Sequence, residues 1–514
     1  MTSDEVEALI TAKTRNSVRI RRLEERVGDS VAFLSYSIDD QNSMTIWHTE
    51  VSPSLQNVGL GGKLVEEALQ LALRDSSHLR IVCPFANEHL ARHPELKERY
   101  SVAAQAVISD EKSLSARQNH TRRASTRLQR NLRRYMSADS EDHAGYGRPR
   151  TYEEARMKAT TALHELGQSL WLDNITRDLL ENGTLKRYID DFSVTGLTSN
   201  PTIFEHAILN SGSYDTQIAG LMKAGYTAED VFFALALQDL IQAADLLADI
   251  HESTAGVDGF VSLELSPLMA YHTNKSIAAA KLLHDRGNRP NLYIKIPGTT
   301  QGIPAIEESI ANGVAINVTL LFSRDHYQAS AEAYLRGLER RIERGLSPDV
   351  SSVASVFLSR WDGATMDKVP NTLRNKLGIA VGQQVYKSYR DLLESDRWQR
   401  LANFGARPQR LLFASTGTKD PGASDLLYVN ALAAPNTINT MPEKTLVAFG
   451  DHGEVSRTLP RDGGDCESVL NGFQNAGIDL GRLAGDLQAQ GAKSFEKSWR
   501  RLISAIEEKG NAVL

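Results

Sequence analysis

Cysteine is nearly absent. Cys83 and Cys466 are the only two in 514 residues, which excludes a disulfide scaffold and fits a reducing compartment, the cytoplasm. No apolar run reaches the 18 or so residues of a membrane span. The opening residues, MTSDEVEALITAKTRN, lack the apolar core of a secretory signal. Charge of one sign is scarce as well: the net charge is −6, too mild for a nucleic-acid-binding chain. His206, His251, His272 and His326 show no metal-ligand spacing, and no metal site is expected. No short-period repeat is visible. What remains, 41% hydrophobic and 24% charged residues, is ordinary globular composition. At about 150 residues per domain the length suggests two to four domains.

The small net charge conceals a division. Residues 111–150 hold ten Lys/Arg against four Asp/Glu, a local +6 that leaves −12 on the rest of the chain. This stretch, EKSLSARQNHTRRASTRLQRNLRRYMSADSEDHAGYGRPR, is poor in large apolar residues and reads as a linker over 104–150, with helical character around 125–135. A solvated tether and a site for an anionic partner, RNA or a membrane surface, are both open. The stretch lacks the interleaved aromatics that stack on bases.

Two textures flank the linker. Over 1–103, VAFLSYSI (Val31 to Ile38) and MTIWHTEV (Met44 to Val51) bracket the turn-rich DDQNS and read as a hairpin. Gly59, Gly61 and Gly62 precede a helix whose apolar face carries Leu64, Ala68 and Leu71 beside Val65, Leu69 and Ala72. A strand, LRIVCPF (Leu79 to Phe85), and a helix follow. Over 151–514 seven apolar runs alternate with helical stretches: SLWLDN, DFSVTGLTSN, FVSLELS, NLYIKIPG, AINVTLLFS, VASVFLS and LLFASTG. At least seven such βα units in some 360 residues favour a (β/α)₈ barrel over an open sheet. Barrel enzymes gather functional groups at the carboxyl ends of their strands, where Asp173, Asn200, Glu264, Lys295, Thr319, Arg360 and Thr416 stand here.

Lys295 is the most informative of these. It lies within an apolar strand, NLYIKIPG, that breaks two residues later at Pro297-Gly298. An ammonium there costs several kcal/mol unless it is paired or loses its proton. An edge lysine that snorkels to solvent is the plain alternative. At a strand top, desolvation instead favours the neutral amine, the form that attacks a carbonyl to make a Schiff base. Asp173 and Glu264 at neighbouring strand ends supply carboxylates for general acid–base work, although either alone could be a cap or a surface acid.

The segments SVTGLTSNPTIF, LYIKIPGTTQGIPAIE and INVTLLFS resemble the signatures of transaldolases. LFASTGTKDPGASDLLYVNAL and NTINTMPEKTL resemble the longer, actinobacterial-type branch, and the resemblance spans roughly 155–510. It implies a class I aldolase-like barrel in which Lys295 forms the imine with a ketose phosphate and Asp173 takes the C4 hydroxyl proton. It implies that Glu264 and Thr319 hold a water that shuttles protons, and that Asn200 and Asn317 hydrogen-bond the three-carbon unit. Ser355, Phe357 and Arg360 would close the site, with Arg360 on the phosphate. A second basic residue belongs on the next strand in shorter relatives; here that strand reads STGTKD, which offers Lys419. Shorter relatives also read SPF where this chain has SVF. The reaction implied is a metal- and cofactor-independent transfer of the pentose phosphate pathway. Sedoheptulose 7-phosphate and glyceraldehyde 3-phosphate give erythrose 4-phosphate and fructose 6-phosphate. The rival is a class I fructose 6-phosphate-type aldolase that releases free dihydroxyacetone; simple aldolases lack the pairing of Asp173 with Glu264.

In the first domain, HTEVSPSLQNVGLGGKLVEEAL places Gln56, Gly59 and Gly61 ahead of a helix, where glycines let amide N–H groups approach a phosphate. With VCPFANEHLARHPE downstream, residues 25–100 resemble the small GNAT-type acyltransferase-like domains, of α+β architecture. The resemblance implies acetyl-CoA at this turn and makes Cys83 a candidate nucleophile; a buried inert thiol is the alternative. Val58 stands where such domains commonly carry a basic residue. A non-enzymatic reading, an acyl-CoA-binding regulatory or scaffold protein with an inactive barrel, is also open. Lys295, Asp173, Glu264, Asn317 and Thr319 occurring together argue against it. Oligomeric state has no sequence signal.

Overall fold

The computed structural model describes residues 20–27, 30–38, 43–51, 60–75 and 78–81, positions 86, 89, 90, 93 and 96, and residues 158–456 and 458–512. The chain divides into two units, residues 1–148 and 149–514.

In the first unit, β1 (Ile20–Val27), β2 (Ser30–Ile38), β3 (Ser43–Val51) and β4 (His78–Ile81) form one sheet in that order. The first two pairings are antiparallel and β3 runs parallel to β4. The expected hairpin is present, with Ile38 opposite Met44. Helix α1 (Leu60–Asp75) crosses over between β3 and β4. Its Leu64, Val65, Ala68, Leu69 and Ala72 are buried with Ala32, Leu34, Met44 and Ile46 of the sheet. Strand β1 escapes a reading by apolar runs because its sequence, IRRLEERV, is mostly charged. It forms a sheet edge, and charge on an edge discourages pairing with other chains. The expected strand ends at Ile81 within the described residues. Its remainder, the 104–150 linker, Gln56, Gly59 and Cys83 lie outside them.

The second unit is the expected barrel. Strands β5 (Gln168–Asp173), β6 (Val194–Thr198), β7 (Val261–Glu264), β8 (Leu292–Pro297), β9 (Ile316–Leu321), β10 (Ser352–Phe357), β11 (Gln409–Ala414) and β12 (Thr437–Met441) are all parallel. They pair in the order β6-β5-β12-β11-β10-β9-β8-β7. A parallel bridge between Gly196 and Phe260 links the two ends, with Leu197 N–H donating to the Phe260 carbonyl at 3.0 Å and Gly259 N–H to Thr195 at 2.9 Å. Gly196 is required at this seam, because a Cβ there would press on the Trp171 ring and the Phe260 carbonyl. The eighth strand, TINTM, adds to the seven apolar runs. It is hard to recognise because its buried residues include Thr437, Asn439 and Thr440, whose side-chain oxygens find partners on other strands and on the loop after β11.

Three helices shape the mouth. Helix α2 (Pro201–Asn210) follows β6, α3 (Ser359–Thr365) follows β10, and α4 (Leu480–Asn511) returns from the far end of the sequence. α4 docks on α2 through Ser498 to Thr202 (2.9 Å) and Arg501 to the buried Glu205 (2.7 Å). Its Trp499 stacks edge-on against Phe232, with 4.9 Å between centroids. No helix among the described residues is long and apolar enough to cross a membrane.

Candidate functional site

Strand register assembles the centre of the site. Glu264 pairs with Lys295 across β7 and β8, and Lys295 with Asn317 across β8 and β9. The three side chains therefore occupy one level of the barrel wall. Lys295 is only 4% exposed. Its Nζ lies 3.0 Å from Glu264 Oε2 and donates to the Ser199 carbonyl at 2.8 Å. The cost of burying the ammonium is thus offset by a buried carboxylate and a carbonyl. Burial raises the pKa of Glu264, and the Lys295 charge opposes that rise.

Above this level a cavity of about 350 Å³ opens at the carboxyl ends of the strands, a size suited to a small polar ligand. Eight expected residues line it: Asp173, Asn200, Lys295, Thr319, Ser355, Phe357, Arg360 and Lys419. Two do not. Glu264 stands behind Lys295, and Asn317 is wholly buried between Ser262 Oγ (3.1 Å) and Ser355 Oγ (2.7 Å). Asn317 thereby holds Ser355 beside Lys295 across the β9–β10 pairing.

Asp173 ends β5 opposite Thr198 on β6, whose hydroxyl donates to Asp173 Oδ1 at 2.8 Å. Desolvation raises the Asp173 pKa, and Lys295, the Thr198 hydrogen bond, Arg360 and Lys419 pull it back down. Thr319 is fully buried and lines the cavity, and its Oγ1 finds no hydrogen-bond partner among the described residues. A buried hydroxyl without a protein partner is available to a ligand or water. Asn200 caps α2, its Oδ1 accepting from Thr202 and Ile203 N–H at 3.1 Å each. That leaves its amide nitrogen for the cavity.

The phosphate-suited residues sit at the rim. The Arg360 guanidinium lies 5.1 Å from the Phe357 ring centre and 5.7 Å from that of Phe495 on α4. Two aromatic faces fix its plane. Desolvation lowers the Arg360 pKa, and Glu264 and Asp173 counter this. Lys419, after the neighbouring strand β11, is exposed and also lines the cavity. Thr416, the other strand-end residue, is buried and donates to the Thr440 carbonyl at 3.0 Å, so it supports β12 and does not line the cavity.

Several lining residues carry little sequence signal. Phe495 and Ser494 come from α4, remote in the chain, and nothing local marks them. Thr440 lies on the unread eighth strand. Thr198 stands two residues before Asn200 and could have been found from that spacing. His206, expected to be structural or exposed, is an exposed residue on the rim of the cavity. At the carboxyl ends of β8 and β9, Gln488 of α4 donates to the carbonyls of Gly298 (3.1 Å) and Leu320 (2.9 Å), tying the two strands together. Leu320 holds a left-handed φ of +57°, a conformation costly for a residue with a Cβ. Among the described residues no cluster of three or more His, Cys, Asp or Glu is placed to hold a metal ion.

Of the expected residues in the first unit, Gly61 is buried in the first turn of α1. That turn carries no acidic side chain, and its leading amides are the kind that bind a phosphate.

Residues 170–506 match the family model described as Transaldolase/Fructose-6-phosphate aldolase. Residues 22–99 match the model described as GCN5-related N-acetyl-transferase. Curated proteins named Transaldolase are similar over most of their length. That of Parafrankia sp. (strain EAN1pec) is 40% identical over 361 residues, covering 68% of this chain and 98% of the relative. That of Frankia alni is 41% identical over 356 residues, 68% of this chain and 96% of the relative. That of Mycolicibacterium smegmatis is 42% identical over 355 residues, 67% of this chain and 96% of the relative.

Proposed function

The chain belongs to the transaldolase family, and from that membership we propose how its barrel moves a dihydroxyacetone unit between sugar phosphates through an imine on Lys295. It is a transferase acting on sugar phosphates, with a GCN5-related N-acetyltransferase-type domain at its amino end. The observation that carries the residue assignment is a lysine, 4% exposed, held 3.0 Å from Glu264 at the base of a cavity that Asp173 also lines.

The donor is sedoheptulose 7-phosphate and the acceptor glyceraldehyde 3-phosphate, giving erythrose 4-phosphate and fructose 6-phosphate. The uncharged amine of Lys295 adds to the donor carbonyl, and loss of water leaves a protonated imine. Glu264 and Thr319 handle the proton and the departing water. Asp173 accepts the C4 hydroxyl proton while the C3–C4 bond breaks. The bonding pair moves into the imine, which becomes a neutral enamine, and the first aldose phosphate leaves. The acceptor aldehyde then adds to the enamine carbon and takes the proton back from Asp173, and water hydrolyses the new imine. Asn200 orients the three-carbon unit, Asn317 acts on it only through the Ser355 hydroxyl that it holds at 2.7 Å, and Ser355 and Phe357 close its pocket. Arg360, with its bidentate fork, and Lys419 bind the sugar phosphate group.

For the first domain, acetyl-CoA is the ligand that Gln56, Gly59 and Gly61 suit. Of these, Gly61 lies within the described residues, in a helix-opening turn free of acidic side chains. Acetyl-CoA would supply an activated acyl group there, with Cys83 as a candidate acceptor thiol. A cytoplasmic location follows from the metabolic role and the scarcity of cysteine.

Borohydride reduction in the presence of fructose 6-phosphate, followed by peptide mapping, tests the barrel assignment. A three-carbon adduct on Lys295 is expected; a label on another residue overturns it. Running the assay with and without an acceptor aldose separates transfer from release of free dihydroxyacetone, and turnover should require the acceptor.

A further inference from the structure

We propose that Thr440 is a positioning residue for Asp173, acting through Thr198 as the outer member of a directed chain of two hydroxyls. The inference rests on the reading of Asp173 as the proton acceptor. Thr440 is on β12 and Thr198 on β6, and these are the two strands that flank β5 in the sheet. The chain of hydroxyls therefore passes across the end of β5, where Asp173 sits.

Hydrogen counting sets its direction. An ionised carboxylate only accepts, so the 2.8 Å contact is a donation from Thr198 Oγ1 to Asp173 Oδ1. A hydroxyl has one proton to give. Thr198 must then accept across its 2.7 Å contact with Thr440 Oγ1, and Thr440 is the donor. Both threonines are 3% exposed. With its proton committed inward, Thr440 presents only lone pairs to the cavity that it lines.

The arrangement does two things. The Thr440 donation polarises the Thr198 hydroxyl and strengthens its bond to the carboxylate. It also stops Thr198 from rotating away, so that Asp173 keeps one oxygen fixed and the other directed to substrate. Burial works against ionisation of Asp173, and the groups that oppose burial come from several elements. They are Lys295 on β8, Arg360 on α3 and Lys419 after β11. Glu264 on β7 adds negative charge nearby. Glu443, which follows β12, is engaged by Asn174 (3.0 Å) and Tyr188 (2.6 Å). The hydroxyl chain is the uncharged contribution to this balance, and it is removable without altering charge.

The test is the pH dependence of kcat/KM in full-length Thr440→Val, Thr440→Ser and Asp173→Asn variants. Thr440→Val is near-isosteric and removes only the hydroxyl. Its acid limb is expected to move toward neutrality by about half to one pH unit, the size of one hydrogen bond. Thr440→Ser is expected to restore the limb. If Thr440→Val does not fold, Thr440→Ala is read in the same way. An unmoved limb overturns the relay, as does a loss that is uniform across pH or is not rescued by serine. Turnover that survives in Asp173→Asn overturns the proton-acceptor reading itself, and the relay with it. Loss of turnover in Asp173→Asn together with an unmoved limb in Thr440→Val overturns the relay alone.

Discussion

A buried ammonium and two buried carboxylates share one end of the barrel; the ammonium favours ionisation of both carboxylates, which oppose each other. Asp173 shows the cost most plainly. Its folded pKa is raised above 3.8, with burial the leading cause. Below the unfolded value both states hold the proton. As pH rises past it the unfolded state ionises first, so this residue subtracts stability at neutral pH. Asp173→Asn is therefore expected to abolish turnover while leaving Tm at pH 7 unchanged or higher, and to lose that advantage below pH 4. Calorimetry across pH checks this, and a Tm lowered at pH 7 would contradict it. At the rim, Arg360→Lys keeps the charge but loses the planar fork held between Phe357 and Phe495. The expected outcome is a KM for sugar phosphates raised about tenfold or more, with kcat less affected, by steady-state kinetics. The lysine and the carboxylates were legible in the sequence because charged residues interrupt apolar strands there. Thr198 and Thr440 were not singled out, because threonine is ordinary in a strand and only its neighbours across the sheet give it a role.

Elements carry these residues to one place. The segment after β8, Gly298 to Gly302, turns back on the strand end, and a Cβ at Gly302 would collide with the Pro297 carbonyl. Gly302→Ala should displace the end of the lysine strand, lowering both Tm and imine trapping. Helix α4 acts on the same strand from outside. Gln488→Leu removes two donors, from Gly298 and from the left-handed Leu320. The expected loss in kcat/KM is about tenfold, matching roughly one hydrogen bond's worth of stabilisation. Unchanged kinetics would make Gln488 a packing residue only. Seven of the eight barrel strands were readable as apolar runs because both faces of each are covered. The eighth, with Thr437, Asn439 and Thr440 buried, hides its strand character because their polar oxygens find partners elsewhere in the barrel. Strand β1 hid behind edge charge.

Across the whole molecule a transaldolase-family barrel and a GCN5-related N-acetyltransferase-type domain share a chain. The expectation of a basic linker over 104–150 stands as a proposal, since those residues lie outside the described ones. Cys83→Ala in the full-length protein should leave transaldolase turnover intact, by coupled assay; loss of turnover with folding preserved would mean that the two domains are functionally coupled. Titration with acetyl-CoA should raise the melting temperature of the first domain, and no shift would leave that domain without this ligand. The sequence by itself determined the barrel and marked Lys295 as a charge inside a buried strand, because strand periodicity and a charge inside an apolar run are local features with few structural solutions. It also carried the motifs that mark the family. Which side chains meet was decided only by the tertiary structure. Register set Glu264 and Asn317 on either side of Lys295, and barrel closure brought Thr440 to Thr198. The return of a remote helix put Phe495 against Arg360. Such contacts depend on the order in which strands pair and on where a distant helix packs, and no window along the chain contains that information.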